Sequence, residues 1–447
     1  MVKGGEKAMY RVQSDYIRHL SKKEYAMLAE MCRYSNNLYN VAVYNIRQQF
    51  FRGDGYLSYE KNYRLCKANE NYGLLQAGVA QQTLKMADRS FQSFFALLKL
   101  KKESGYDKKV RIPHYREKGG LFGLTLSTNA INIKDGWLQV PMSRAFSKSH
   151  GGRAIRIRVP ERLEGCRIKE VRIVPSCRGR YFRIQYVCED EGFDLYMSQN
   201  RILAIDVGLD NLAACITTLG TSFLVDGRKL KSINRRWNKE MAKLQGIADR
   251  QKLKGRTKRM DAITKNRNNQ ARDYLFKVAR IIVDYCISND IGTIVCGCNK
   301  EQKDGISLGK KTNQSFVQIS FGLLRSQLAS LCEHYGIRYI EQEESYTSKA
   351  SFLDMDEIPV FEAGEETTVV FSGRRIHRGL YRFGDGRKAN ADLNGAANIL
   401  RKSKQKFDFE QQPLPRGFPC LQAWGGARHS ATYFLCFLDF IEPSCTF

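Results

Sequence analysis

Ile202-Leu203-Ala204-Ile205-Asp206-Val207-Gly208, opening a unit that starts at Arg201, is an apolar run closed by a carboxylate and a glycine. Such a run, with no polar alternation, reads as a buried core strand. Cys215-Ile216-Thr217 and Ser222-Phe223-Leu224-Val225 read as the next strands of a meander. Two helical stretches then cover roughly 229 to 290, the second apolar at Phe276, Ala279, Ile282, Val283 and Cys286. Thr293-Ile294-Val295-Cys296-Gly297 is a further buried strand. Leu323, Leu324, Leu328 and Leu331 define a helix stopped near Gly336, and Ile337-Arg338-Tyr339-Ile340 starts the next strand. With a final helix around Ala396 to Lys402, the order is that of an RNase H-like α/β fold, over residues 201–345 and 389–403.

The acids in this segment carry the chemistry. Phosphodiester hydrolysis with two divalent ions needs several carboxylates converging where phosphate and attacking water meet. Asp206, at the end of the first core strand, is held rigidly while open to a cleft; a turn aspartate bonded to Gly208 is the bland alternative. Asp392 lies in Asn390-Ala391-Asp392-Leu393-Asn394-Gly395-Ala396-Ala397-Asn398-Ile399, where the alanines let the last helix pack closely on the first strand. A helix N-cap also explains an Asp there. Glu343 and Glu344 follow the strand that starts at Ile337. Adjacent strand residues face opposite sides, so at most one points into the site, and Glu344 is slightly preferred. Asp210 is a weaker, accessory candidate.

Outward from this core the chain is strongly basic. Its 447 residues include 73 Lys and Arg against 46 Asp and Glu, a formal charge of +27 that implies a polyanionic partner. Between Arg228 and Arg272 stand sixteen basic and three acidic residues. Arg235, Arg236, Lys252, Lys254 and Arg256 are the candidates there for holding nucleic-acid backbones, although a solvated basic surface has the same pattern. Thirteen cysteines show no C-x-x-C pair, and Cys296 and Cys298 fit a buried strand better than a metal site. Neither a signal peptide nor a long apolar segment is evident, so no membrane partner is expected and a prokaryotic cytosol or nucleoid is the expected location.

In the first half, Met9-Tyr10-Arg11-Val12-Gln13 reads as a strand, and Ser21 with Glu24 as a capping box opening a helical region. Residues 21–102 form an expected helical recognition domain. Its Tyr34, Asn37 and Asn40 suit RNA or DNA, but serve equally as a helix surface and packing edge. Residues 1–20 and 103–200 form an expected β-rich domain, in which Arg156 and Arg158 project from one sheet face, towards phosphates or solvent. After residue 403 the composition shifts, and 404–447 reads as an extension, either a final strand or an unstructured tail.

Three segments carry a resemblance: Ile205-Asp206-Val207-Gly208-Leu209-Asp210-Asn211, Tyr346-Thr347-Ser348-Lys349-Ala350-Ser351-Phe352-Leu353-Asp354, and Asn390-Ala391-Asp392-Leu393-Asn394-Gly395. Together they resemble the TnpB family of transposon-encoded, RNA-guided DNA endonucleases, relatives of the type V CRISPR effectors. The polar run from Gly309 to Phe316 fits the same layout. The resemblance implies a wedge-like β domain around a helical recognition domain, then a RuvC nuclease domain. It also implies a guide RNA, a double-stranded DNA target with a short flanking motif, and Mg²⁺ (or Mn²⁺) held by Asp206, Asp392 and one of Glu343 or Glu344. A monomer is expected, with a dimer as the alternative.

Two departures stand out. Many relatives place the second catalytic glutamate where this chain has Gly297, and the relocated acid is then Glu343 or Glu344. Many also carry a four-cysteine zinc ribbon, whereas no Cys occurs here from Glu333 to Pro419, so no structural zinc is expected. Residues 346–388, with Arg374, Arg375, Arg378 and Arg382, are expected to keep the loop as a target-binding basic clamp without its metal, with an ordinary basic surface as the alternative. The competing functions are an RNA-guided DNA-binding repressor with an impaired nuclease, a compact type V effector, a guide-independent nuclease and a purely structural nucleic-acid binder.

Overall fold

The computed structural model describes residues 9–104, 106, 108–299, 319–360, 369–377 and 379–405. Arg378, the run from Gly309 to Phe316 and the extension beyond residue 405 lie outside them. The chain forms two compact units, Met1–Glu191 and Gly192–Phe447. The second starts at Gly192, ahead of the expected Arg201.

The first unit runs β1 (Met9–Tyr16), α1 (Lys22–Phe51), α2 (Tyr59–Cys66), α3 (Glu70–Leu74), α4 (Ala77–Ser104), β2 (Leu124–Ser127), β3 (Asn132–Lys134), β4 (Trp137–Gln139), α5 (Arg144–Ser149), β5 (Arg156–Arg158), β6 (Ile168–Ser176) and β7 (Tyr181–Asp190). One antiparallel sheet has the order β1-β7-β6-β2, and a smaller one the order β3-β4-β5. The capping box forms as expected: the Glu24 N–H donates to Ser21 Oγ, and the Ser21 N–H donates to Glu24. The helical and β-rich segments share one core, in which Leu28, Met31 and Leu38 of α1 and Leu84 and Phe91 of α4 pack with Leu124, Ile173 and Tyr186 of the sheet. The long helices bury their apolar stripes against one another and against the sheet. Each large apolar side chain so buried contributes about 1.5–3 kcal/mol.

The second unit runs β8 (Ser198–Asp206), β9 (Asn211–Thr217), β10 (Ser222–Asp226), α6 (Arg228–Arg250), α7 (Lys258–Ser288), β11 (Ile291–Cys298), α8 (Phe321–Tyr335), β12 (Arg338–Glu343), β13 (Arg374–His377), β14 (Leu380–Arg382), β15 (Lys388–Asn390) and α9 (Ala391–Lys402). Its main sheet has the order β10-β9-β8-β11-β12. The first three strands pair antiparallel, while β8–β11 and β11–β12 pair parallel. The succession along the chain, three strands, two helices, strand, helix and strand with a last helix, is the one the sequence predicts. Among the described residues no helix is long and apolar enough to cross a membrane.

Strand pleat sorts the side chains of β8 onto two faces. Leu203 and Ile205 join the core under α7 and α8, whereas Ile202 and Ala204 join the core under α9. By the same alternation Asp206 belongs to the α9 face. On β11, Ile294 and Cys296 face α7 and α8, and Val295 faces α9. Gly297 therefore shares the face of Asp206.

Candidate active site

Asp206 stands half-buried at the C-terminal end of β8. Its carboxyl is held well above the ordinary range, first by burial and then by the negative charges of Glu344 and Asp392; Arg375 and the Val207 N–H act the other way. Acids from two other elements thus bear on Asp206, and burial weakens the screening of their charges.

Helix α9 supplies Asp392 in its first turn. Asn390 caps the helix, its side chain accepting from the Asp392 N–H at 2.9 Å and the Leu393 N–H at 3.3 Å. Asp392 therefore leaves the N-cap role to Asn390, and its own carboxylate faces outward to two donors. Asn211 Nδ2 donates to Oδ2 at 2.8 Å, and Arg375 Nη2 to Oδ1 at 3.2 Å. Gly395, inside the same helix, is disfavoured there by roughly 1 kcal/mol relative to Ala. The close approach explains it: a Cβ at Gly395 would lie 2.6 Å from Asp206 Oδ2.

The two glutamates after β12 part company. Glu343 is exposed, receives hydrogen bonds from Lys402 Nζ at 2.5 Å and from the Ser345 N–H, and is held below its ordinary range because these bonds outweigh partial burial. Glu344 turns inward. Burial, opposed by Arg325 and assisted by the Glu343 charge, pushes it up to about 7. A Cβ at Gly297 would lie 2.6 Å from Glu344 Oε2 and 2.6 Å from Ile399 Cδ1. Glu344 thus fills the space in front of the strand position where an acid is lacking.

The remaining motif residues hold these parts together. Asn394 Nδ2 donates to the Ala350 carbonyl at 2.8 Å, and its Oδ1 accepts from the Phe352 N–H at 3.0 Å. One turn on, Asn398 Nδ2 donates to the carbonyls of Thr347 and Ala350 at 2.9 and 2.7 Å. The Tyr-Thr-Ser segment is therefore strapped to the helix that carries Asp392. It continues into Asp354 and Asp356, which pin the β13–β15 sheet. Asp356 accepts from the Ser351 N–H at 2.7 Å and from Ser372 Oγ at 2.6 Å, and Asp354 from the Gly384 N–H at 2.8 Å. Buried Asp356 and exposed Asp354 thus tie the segment to the small sheet. Sequence reading missed Asn211, Gly395 and the straps of Asn394 and Asn398, and left Arg375 undistinguished within a basic group. A glycine inside a helix beside two asparagines at i, i+4 spacing was the available signal.

The predicted nucleic-acid residues fall into two sets. Arg235 and Arg236 on α6, Lys252 and Lys254 after it, Arg374 on β13, and Arg156 and Arg158 on β5 are all exposed. The others have internal partners. Arg256 Nε donates to Asp261 at 2.8 Å; Tyr34 donates to Glu30 at 2.5 Å; Asn37 Nδ2 donates to Asn71 at 3.1 Å. Asn40 has both ends of its amide on the backbone of Arg116, at 3.1 and 2.8 Å. Asp210 is paired with Lys231.

As arranged, among the described residues no group of three or more His, Cys, Asp or Glu stands close enough to hold a metal ion. The donor set nonetheless suits one. It is all oxygen, as hard divalent cations prefer, and it concentrates negative charge that Arg375 only partly offsets.

The strand order and the acidic corner define a mixed α/β protein. A Cas12f1 chain, solved in complex with sgRNA and target DNA, superposes with a TM-score of 0.56 at 12% identity, covering 85% of this chain and 83% of that one. The family model OrfB_IS605, described as "Probable transposase", matches residues 188–303. TnpB-like protein ORF457 of Acidianus two-tailed virus is 22% identical over 414 residues, 84% of this chain and 83% of the relative. Protein A625R of Paramecium bursaria Chlorella virus 1 is 25% identical over 334 residues, 72% and 68% of the two chains. These matches bear out the resemblance read from the motifs: the chain is similar to TnpB-like proteins.

Proposed function

We propose that this protein is an RNA-guided DNA endonuclease of transposon origin, whose RuvC-type site is Asp206, Glu344 and Asp392. The convergence of these acids from β8, the end of β12 and the start of α9 carries the reading, since setting the charges of Glu344 and Asp392 against a buried Asp206 is costly unless it serves a cation. A divalent ion, Mg²⁺ or Mn²⁺, bound by these oxygens would supply Lewis-acid activation of water and stabilise charge on the leaving oxygen. Asp206 is the rigid member, fixed by its strand. Glu344 takes the part left vacant by Gly297, while Glu343 stays on Lys402. Asn211 and Arg375 orient Asp392, and the Arg375 cation is set beside the acids, where it can also meet a phosphate.

Guide pairing would select the target, so the protein need read only a short flanking motif and the backbone. The exposed cations of α6 and β13 suit that task. The test is cleavage of a DNA library with randomised flanks by protein copurified with RNA from its own locus, beside Asp206→Ala and Glu344→Ala. Magnesium-dependent cuts lost in both variants support the reading. Guide-dependent binding without cutting in the parent overturns the nuclease and favours a repressor.

A further inference from the structure

The small sheet of the first unit has an exposed face whose composition is unlike a merely solvated one. In its register Lys134 is opposite Trp137 and Trp137 opposite Arg158; one rung along, Asn132 is opposite Gln139 and Gln139 opposite Arg156. Directly opposed residues in antiparallel strands, and residues two apart on one strand, share a face. All six therefore project together. The other face holds Leu138 and Ile157, at 0% and 5% exposure, within the core. Trp137 is 45% exposed on the open side. A tryptophan gains most by burial, so one displayed at the centre of a polar sheet, with a cation on each flanking strand, points to a ligand that covers it.

We propose that this face binds a single-stranded nucleic-acid segment, with one unstacked base on the indole of Trp137 and phosphates at Lys134, Arg156 and Arg158. The indole offers a planar surface that every base can stack on. Lys134 and Arg158 lie on either side of it across the strands, matching a backbone that passes the base on both sides, and Asn132 and Gln139 add amides able to meet a base edge. Arg158 also pairs with Glu161 at 3.1 Å, but that ion pair is exposed and of a kind worth little, so a phosphate can replace it. A duplex keeps its bases stacked and offers the indole nothing. The face lies wholly in the first unit and the proposal needs no strand scission.

The test uses the full chain stripped of nucleic acid, in EDTA, with short 5-iodouracil-bearing RNA and DNA single strands and a duplex of equal length. Light-induced crosslinks are expected on the peptide that contains Trp137. Trp137→Ala is expected to weaken single-strand binding roughly tenfold, the loss of one base–aromatic stack, with duplex affinity and thermal midpoint unchanged; Trp137→Phe keeps most of the affinity. Arg156→Gln/Arg158→Gln should lower the salt slope for single strands by about 1.4, two phosphates' worth. The tighter of the RNA and DNA arms identifies the strand. Absence of the crosslink, unchanged single-strand affinity in Trp137→Ala, or an equal loss for the duplex overturns the proposal. Because neither metal nor cleavage enters, failure of the nuclease reading would leave this result standing.

Discussion

Gly297 and Glu344 occupy one another's space: a Cβ on the glycine would come within 2.6 Å of Glu344 Oε2. A missing acid on β11 and an inward acid after β12 are therefore a single feature. Gly297→Ala, a change of one methyl, is expected to push Glu344 aside, costing about 1–3 kcal/mol in stability and at least tenfold in cleavage. Gly297→Glu/Glu344→Gly, with Ile399→Val to clear its Cδ1, should recover part of the activity. Cleavage assays on both variants check this, and full activity in Gly297→Ala would falsify the assigned role of Glu344.

The pH dependence of stability follows from the sign of the Glu344 shift. Its folded-state value is raised from the ordinary 4.5 to about 7, so the folded chain holds the proton more tightly. Its contribution is fully present below about 4.5 and is lost as pH rises through 7. Without divalent metal, the thermal midpoint of Glu344→Gln should therefore climb relative to the parent across that window and then level off. A flat difference would show that Glu344 is not held buried and inward.

Cation binding gives a measurement independent of cleavage. Mg²⁺ should raise the thermal midpoint of the parent in proportion to the logarithm of its concentration above Kd. Asp206→Asn should lose this response and, freed of a strained charge, be more stable than the parent in EDTA. An unchanged Mg²⁺ response in Asp206→Asn would move the ion elsewhere.

Arg375→Gln separates charge compensation from folding. Its pair with Asp392 is 44% exposed on the arginine side, so its loss should change stability by less than about 1 kcal/mol. Cleavage should fall by roughly 10²-fold, as when a charge-stabilising donor is removed from a reacting site. Comparable losses in melting temperature and activity would mark Arg375 as structural only.

The acidic pins predict how the β13–β15 sheet responds to chemistry that would unfold a zinc ribbon. Asp356→Ala strands the Ser351 and Ser372 N–H groups, at about 1–3 kcal/mol, whereas a zinc chelator should leave the melting curve unmoved. Hydrogen exchange of residues 369–377 reads both.

The legible parts of this molecule were those with a one-dimensional signature. The apolar run into Asp206 announces a strand covered on both faces, and the order of strands and helices follows from hydrophobic period. Asp392 was legible as a candidate, yet its freedom from capping depends on Asn390 two residues earlier taking that role. The choice between Glu343 and Glu344 was narrowed by strand parity and separated in the structure by Lys402, 59 positions from Glu343. Asn40 looked like a recognition residue because nothing local reveals that Arg116, 76 positions away, engages its amide. The union of the helical and β-rich segments likewise rests on which apolar face meets which, a long-range matter that periodicity does not encode.

The packing of the last helix onto the core sheet also sets a schedule. Asn211 and its hydrogen-bonded partner Asp392 lie 181 positions apart, and Ala396, Ala397 and Ile399 roof the same face as Ile202 and Ala204. A ribosome must therefore deliver α9 before the acids can meet. A chain cut short ahead of Asn390 would carry Asp206 with no opposing helix and an apolar sheet face open to water, making interrupted synthesis yield an inert, aggregation-prone product instead of an unguided nuclease.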